Sequence, residues 1–153
     1  MMVVMPKMFK RGFTLIELLV VIGVLAILLT IVLVAINPAR QFSQSNNTKR
    51  RSDVNALLNG IHQYAADNRG VLPAGITTIS QNIANTGAGL CAALVPNYLA
   101  ALPVDPLTNN GASVTDCAAA YDTNYQVVKS ATNNRITVTA GGAELNEVIS
   151  VIR

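Results

Sequence analysis

A single carboxylate lies inside the longest apolar segment of the chain. Glu17 stands in the stretch RGFTLIELLVVIGVLAILL at positions 11–29, and no residue from Leu18 to Ile36 is charged. Nineteen helical residues rise about 28 Å, close to the roughly 30 Å hydrocarbon core of a bilayer. The segment is therefore predicted to be a transmembrane helix. Because a charge at that depth is costly, we expect Glu17 to have a partner there.

Positive charge is distributed unevenly along the chain. The formal net charge is +3, but three of the eleven basic residues, Lys7, Lys10 and Arg11, precede the apolar segment and leave eight basic against eight acidic residues. The cluster TKRRSD at positions 48–53 has no interleaved aromatic residue, which is typical of a solvated helix face. We therefore expect no nucleic-acid partner. Basic residues flank the apolar segment on both sides, so they leave its orientation in the membrane undecided.

The remainder of the chain predicts a second helix and a small sheet. Pro38 lacks a backbone donor, so the helix should kink or melt near Asn37. Apolar residues then recur at helical spacing, and Gly70 is the expected C-cap. This half-buried face comprises Val54, Leu57, Leu58, Ile61, Tyr64 and Ala65. Residues 71–123 are predicted to be loop with short helix, and three strand-like stretches follow, NYQVVK, RITVT and VISVIR.

These elements predict an α+β fold. The first half of a long N-terminal helix spans the membrane, and its second half packs on a small C-terminal antiparallel sheet of three or four strands. Each element covers the apolar face that the other cannot leave in water.

The two cysteines, Cys91 and Cys117, both fall in the polar part of the chain. No histidine or further cysteine stands near them at zinc-binding spacing. We favour an extracytoplasmic disulfide, which would contribute roughly 3–4 kcal/mol by closing a loop of this length. The alternative that stays open is a pair of small buried thiols.

The segment KRGFTLIELLVVIGVLAIL resembles the N-terminal signal of type IV prepilins and type II secretion pseudopilins. In that family a basic leader ends in glycine, phenylalanine follows, and glutamate stands five residues after the glycine. Here those positions are Gly12, Phe13 and Glu17. The resemblance covers about a sixth of the chain. It is nevertheless specific, because a lone carboxylate in an otherwise uncharged span is rare.

The resemblance implies how the chain is processed and what it binds. Prepilin peptidase would cut between Gly12 and Phe13 on the cytoplasmic side, and the same enzyme would N-methylate the new amine of Phe13. Glu17 would be needed for methylation and for assembly. An assembly ATPase and a platform protein would extract the subunit from the lipid of the inner membrane into a filament with other pilin-like subunits. The head would lie outside the cytoplasm, which a disulfide also favours.

The residues themselves suggest how the carboxylate is satisfied. Cleavage would create an ammonium group at Phe13, one helical turn from Glu17 on the same face. In a packed bundle, Glu17 of one subunit could neutralise the Phe13 amine of its neighbour, and only at the correct height. A heterologous contact that repeats without closing generates a helical filament. We therefore expect a structural subunit of a type IV pilus-like or type II secretion pseudopilus filament.

Two other classes of protein are less favoured interpretations of this sequence. The runner-up is a monomeric single-pass anchor that carries an extracytoplasmic binding domain, with Glu17 snorkelling to the membrane interface. Enzymatic activity finds no support, because the sequence has one histidine, His62, and neither a nucleophile elbow nor a phosphate-binding loop. We therefore predict no catalytic residue and no cofactor.

Calcium is the metal that the resemblance raises, because major pseudopilins often carry it in a loop of the head. Oxygen donors in the corresponding region are Asp105, Asn109, Asp116 and Asp122. Their spacing does not match an EF-hand loop, so no residue is assigned to a metal, although a calcium site stays open. Asp105, which precedes Pro106, is interpreted as a turn former.

Four segments follow from the pattern and the resemblance together. Residues 1–12 form the leader and residues 13–36 the transmembrane and assembly helix. Residues 37–53 form a kinked helical connection, and residues 54–153 the globular head. Secretion, motility, adhesion and DNA uptake share this architecture, and the sequence leaves open both the process and whether the subunit is major or minor.

Overall fold

The computed structural model describes residues 12–153. The leader predicted at positions 1–12 lies outside the described residues except for Gly12, and so do Lys7, Lys10 and Arg11. The chain divides into two compact units, one that ends at Pro38 and a second that comprises Ala39–Arg153.

The first unit contains one helix, α1, which spans Leu15–Ile36. Its 22 residues rise about 33 Å. Among residues 12–153, α1 is the one helix that is long and apolar enough to cross a membrane, and none of its residues is buried. The helix ends at Asn37, which adopts a left-handed conformation with φ 45°. The break lies where the sequence predicts it, because a proline disfavours the α conformation in the residue before it.

A helix of 30 residues, α2, spans Pro38–Asp67, and all of it except Pro38 belongs to the second unit. Proline suits a first helical position, where no backbone donor is needed. The helix runs unbroken through the polar stretch SQSNNT at positions 43–48, although serine, asparagine and threonine have low helix propensity. Beyond its end, Gly70 adopts φ 86° and its amide donates to the Ala65 carbonyl at 2.7 Å, in agreement with the expected cap.

A four-stranded antiparallel sheet follows α2. Its strands are β1 at Gln81–Ala84, β2 at Asp122–Lys129, β3 at Ile136–Ala140 and β4 at Ile149–Ile152, and they lie in sequence order. The three strands predicted from alternating apolar residues are confirmed. Strand β1 was missed within the predicted loop, because its four residues are too few to show a period and a bulge interrupts its pairing with β2. A short helix, α3, spans Cys91–Leu94.

The core of the second unit lies between α2 and the sheet. Val54, Leu57, Leu58 and Ile61 of α2 are fully buried, as the spacing of the apolar residues predicts. The sheet contributes its inward-facing residues to the same hydrophobic cluster, which are Ile83, Tyr125, Val127, Ile136, Val138, Ala140 and Ile149. This helix-on-sheet arrangement confirms the α+β class.

The compact unit is larger than the predicted head. It begins at Ala39, whereas the sequence assigns residues 37–53 to a connection and begins the head at residue 54. The difference arises because Asn47 and Arg50 are fully buried. The first half of α2 therefore packs within the head through polar side chains that hydropathy does not identify.

Candidate assembly site

The predicted cleavage site lies in an exposed, non-helical segment. Phe13 is 89% exposed, and beyond Gly12 and its two neighbours in the chain no described atom lies within 4 Å of the position that a Cβ of Gly12 would occupy. Thr14 has an extended conformation and forms the N-cap of α1, which starts at Leu15. In the uncleaved chain the helix is thus capped at Thr14. The expectation that the new Phe13 amine lies one helical turn from Glu17 concerns the cleaved subunit and stays a prediction.

Glu17 finds a partner in its own chain. Its Oε2 accepts hydrogen bonds from the backbone amide and the hydroxyl of Thr14, both at 2.8 Å, and the Glu17 amide donates to the Thr14 hydroxyl at 3.2 Å. This reciprocal pair is a capping box. Sequence reasoning missed it, although the pattern of threonine three residues before glutamate at the start of an apolar helix is its signal.

Phe13 and Glu17 share one apolar groove of about 400 Å³ on the surface of the first unit. The other residues that line it are Ile16, Val20 and Val21. The structure thus brings the two predicted site residues together, even though only one of them is helical. A second apolar helix that packs on this groove would also cover the Glu17 carboxylate. Such a helix must therefore supply a polar partner at the height of Glu17.

The second unit contains a buried ion cluster centred on Arg50. The Arg50 side chain is fully buried and binds Asp105 with both ends of its fork, Nε to Oδ2 at 2.6 Å and Nη2 to Oδ1 at 3.1 Å. Its Nη1 also donates to Glu144 at 2.8 Å and to Asn47 at 3.0 Å. The interpretation of TKRRSD as a solvated face is therefore wrong for Arg50, although Arg51 is exposed and pairs with Glu147.

The position of Arg50 in the helix explains its burial. Arg50 stands four residues before Val54, and Asn47 three residues before Arg50, so both continue the buried stripe of α2 toward its N-terminus. That spacing is the sequence signal that could have identified them. Hydropathy alone obscured it, because the buried face changes from apolar to polar at this point.

Asp105 serves both as a turn former and as the buried partner of Arg50. Its Oδ1 accepts from the Leu107 amide at 2.9 Å, as expected of a turn, and the residue is 1% exposed. A Cβ at Gly142 would lie 2.8 Å from Asp105 Oδ2, so the turn between β3 and β4 requires glycine at this position. The predicted role of Asp105 was thus incomplete.

Ionisation in the cluster is fixed by its hydrogen bonds. The hydrogen bond from Arg50, followed by those from Asn46 and Ser43, lowers the pKa of Glu144 to about 2. The hydrogen bond to Asp105 raises the pKa of Arg50. Beside the cluster, Tyr125 donates to Asp53 at 2.8 Å, and burial together with this bond raises the pKa of Tyr125.

The two cysteines form a disulfide between the start of α3 and the loop before β2. Their Cα atoms are 5.4 Å apart, and 26 positions separate Cys91 from Cys117. The structure thus holds the bonded form rather than the alternative pair of thiols. Within residues 12–153 no group of three or more histidine, cysteine, aspartate or glutamate side chains is arranged to hold a metal.

Comparison with known proteins identifies one region. Residues 7–33 match the family model described as the prokaryotic N-terminal methylation motif. No curated protein and no solved structure matches the chain. The matched segment contains Gly12, Phe13 and Glu17, and the second unit lies outside it.

Removing the central cation should destabilise the second unit. Arg50→Met leaves Asp105 buried without a counterion, which should lower the free energy of unfolding by on the order of 3–5 kcal/mol. Arg51→Met, which removes an exposed cation one residue away, should cost about 1 kcal/mol or less. Denaturant titration of the full chain in detergent measures both. Equal effects from the two variants would contradict the role given to Arg50.

Glu144 should make stability sensitive to acid. Its pKa is about 2 in the folded chain against an ordinary value of 4.5, so its contribution is complete above pH 4.5 and is lost as the pH falls toward 2. As the pH falls through this interval, the denaturant concentration at the midpoint of unfolding should decrease less steeply in Glu144→Gln than in the unmodified protein. Glu147→Gln is the control, and it should keep the slope of the unmodified protein. An unchanged slope in Glu144→Gln would rule out this linkage.

Proposed function

We propose that this chain, whose residues 7–33 carry the signature of type IV pilins and pseudopilins, is a structural subunit of a pilus-like or pseudopilus filament. The match to the methylation motif, with Glu17 as the lone carboxylate of the apolar segment, is the observation that carries the proposal. The motif belongs to a structural rather than a catalytic family, so assembly requires no catalytic residue in this chain.

Processing is the first step of the proposal. Prepilin peptidase cuts between Gly12 and Phe13 and methylates the new amine of Phe13. The exposed, non-helical chain at this bond supports the step, because proteases cut preferentially at exposed segments outside regular structure. Helix α1 anchors the precursor in the inner membrane, and the disulfide supports a head on the extracytoplasmic side.

Assembly depends on a change of partner at Glu17. In the single chain, the two donors of Thr14 satisfy Oε2 and reduce the cost of holding the carboxylate in lipid. The Glu17 Oε1 atom accepts no hydrogen bond from any residue in the described part of the chain. In the filament, the ammonium group at Phe13 of a neighbouring subunit supplies the opposite charge at this position.

The ion pair selects the position of a subunit, and apolar contact holds the subunit there. When the two charges pair at the correct height, their attraction roughly cancels a desolvation cost of several kcal/mol. In a mispaired subunit both charges stay unpaired, and the desolvation cost of each is not offset. Packing along residues 18–36 supplies the favourable remainder. The contact joins different surfaces of two copies, so its repetition extends a filament rather than closing a dimer.

The processing step predicts the mass of the mature subunit. Protein recovered from membranes should begin at Phe13 and carry one added methyl group, because cleavage and methylation act on the same amine. Intact mass and N-terminal sequencing measure both changes. A chain that still begins at Met1 would instead support a monomeric membrane anchor.

Loss of the carboxylate should separate membrane insertion from assembly. Glu17→Val should accumulate in the membrane at normal levels yet be absent from the sheared filament fraction, because no group remains to pair with the neighbouring amine. Thr30→Val is the matched control, since it removes a polar group of α1 whose hydroxyl only donates to the Ala26 carbonyl. Normal filament yield from Glu17→Val would overturn the pairing.

A further inference from the structure

The start of β2 borders an acidic cavity. This cavity, of about 470 Å³, is lined among others by Asp116, Asp122, Thr108, Asn109 and Ser113. One oxygen of Asp116 accepts from the Ala118 amide at 2.9 Å, and one oxygen of Asp122 accepts from the Asn124 amide at 2.8 Å. The second oxygen of each carboxylate has no partner among the described residues, so both remain able to bind a cation.

The end of β2 borders a basic cavity. This cavity, of about 580 Å³, is lined among others by Lys129, His62, Asn134 and Leu72. The Lys129 ammonium group has no acceptor within the described chain, and His62 Nε2 is buried without a hydrogen-bond partner there. Arg135, which follows Asn134, has an exposed side chain. The donors of this cavity are thus available to an acidic partner.

The counterions nearest to each cavity are already engaged. Lys49 lies beside the acidic cavity, 3.9 Å from the position of a Gly111 Cβ, but its ammonium group binds Asp53 at 3.1 Å and the Val104 carbonyl at 2.9 Å. Asp67 precedes the loop of the basic cavity and interacts with Tyr98, because burial and this carboxylate together raise the pKa of the Tyr98 hydroxyl. Neither ion neutralises the cavity that it borders, and the two cavities retain opposite charge.

The two cavities cannot bind each other within one chain. Asp122 begins β2 and Lys129 ends it, so seven residue steps of about 3.4 Å separate the two side chains by roughly 24 Å. Opposite charges at opposite ends of one rigid strand fit each other only between two molecules. From this charge complementarity we propose that the acidic cavity of one copy binds the basic cavity of a second copy.

This contact rests on the proposed function and adds a second interface to it. It joins two different surfaces, so it stacks heads in one direction without closing a ring. Exposed ion pairs are individually weak and contribute more to orientation than to affinity. The contact would therefore set the register of heads whose apolar helices hold the filament together.

Charge reversal tests the contact, with sheared filament yield as the readout. Lys129→Glu makes both cavities acidic, and Asp122→Lys neutralises the acidic cavity, because Asp116 remains in its lining. Each variant alone should lower the yield about fivefold, the upper range for one exposed ion pair. Co-expression of the two single variants should restore the yield, because the carboxylate introduced at position 129 of one copy can pair with the ammonium group introduced at position 122 of the other.

Controls separate loss of contact from loss of fold. Lys129→Gln should have an intermediate effect, and an intact disulfide on non-reducing gels should show that each variant head folds. Asp116→Lys replaces Asp122→Lys if the latter fails this check. Normal yield from both single variants, or no gain on co-expression, would overturn the proposed contact. Absence of filaments from the unmodified protein would instead overturn the proposed function, and the contact with it.

Discussion

A carboxylate surrounded by lipid must have a partner, and this requirement connects the N-terminal segment to the filament assembly that we propose. Within the single chain, Thr14 is this partner, because it donates two hydrogen bonds to one oxygen of Glu17. The donors of these bonds are neutral, whereas an ammonium group from another copy would neutralise the charge itself. Under the proposed function, the capped state lowers the cost of holding the carboxylate in the membrane, and the ion pair would lower it further. That difference would give assembly its direction and its specificity.

The same requirement organises the head. Arg50 is fully buried, and it is tolerated because Asp105, Glu144 and Asn47 meet its donors with good geometry. Asp105 comes from the loop before β2 and Glu144 from the turn between β3 and β4, so one side chain ties both to α2. The first half of α2, which has few apolar residues to bury, joins the compact unit through charge instead.

Prediction from the sequence succeeded where a hydrophobic pattern continued over many residues, and it failed where a few polar residues decided the structure. The apolar run to Ile36, the break at Pro38, the stripe from Val54 to Ile61 and three strands all followed from spacing and proline chemistry. Strand β1 was too short to show a period. Arg50 was misread because three adjacent cations resemble a solvated face, and only its distance from Val54 shows otherwise. The capping box was readable but overlooked.

The two units bury their apolar surface in different ways. The head buries its own apolar face between α2 and the sheet and adds a disulfide, so its fold is complete in one copy. Helix α1 buries none of its residues, and outside lipid it can cover them only against other apolar helices. A chain with one self-sufficient unit and one that depends on neighbours is suited to polymerise through the second. The first then remains free to determine how adjacent heads meet.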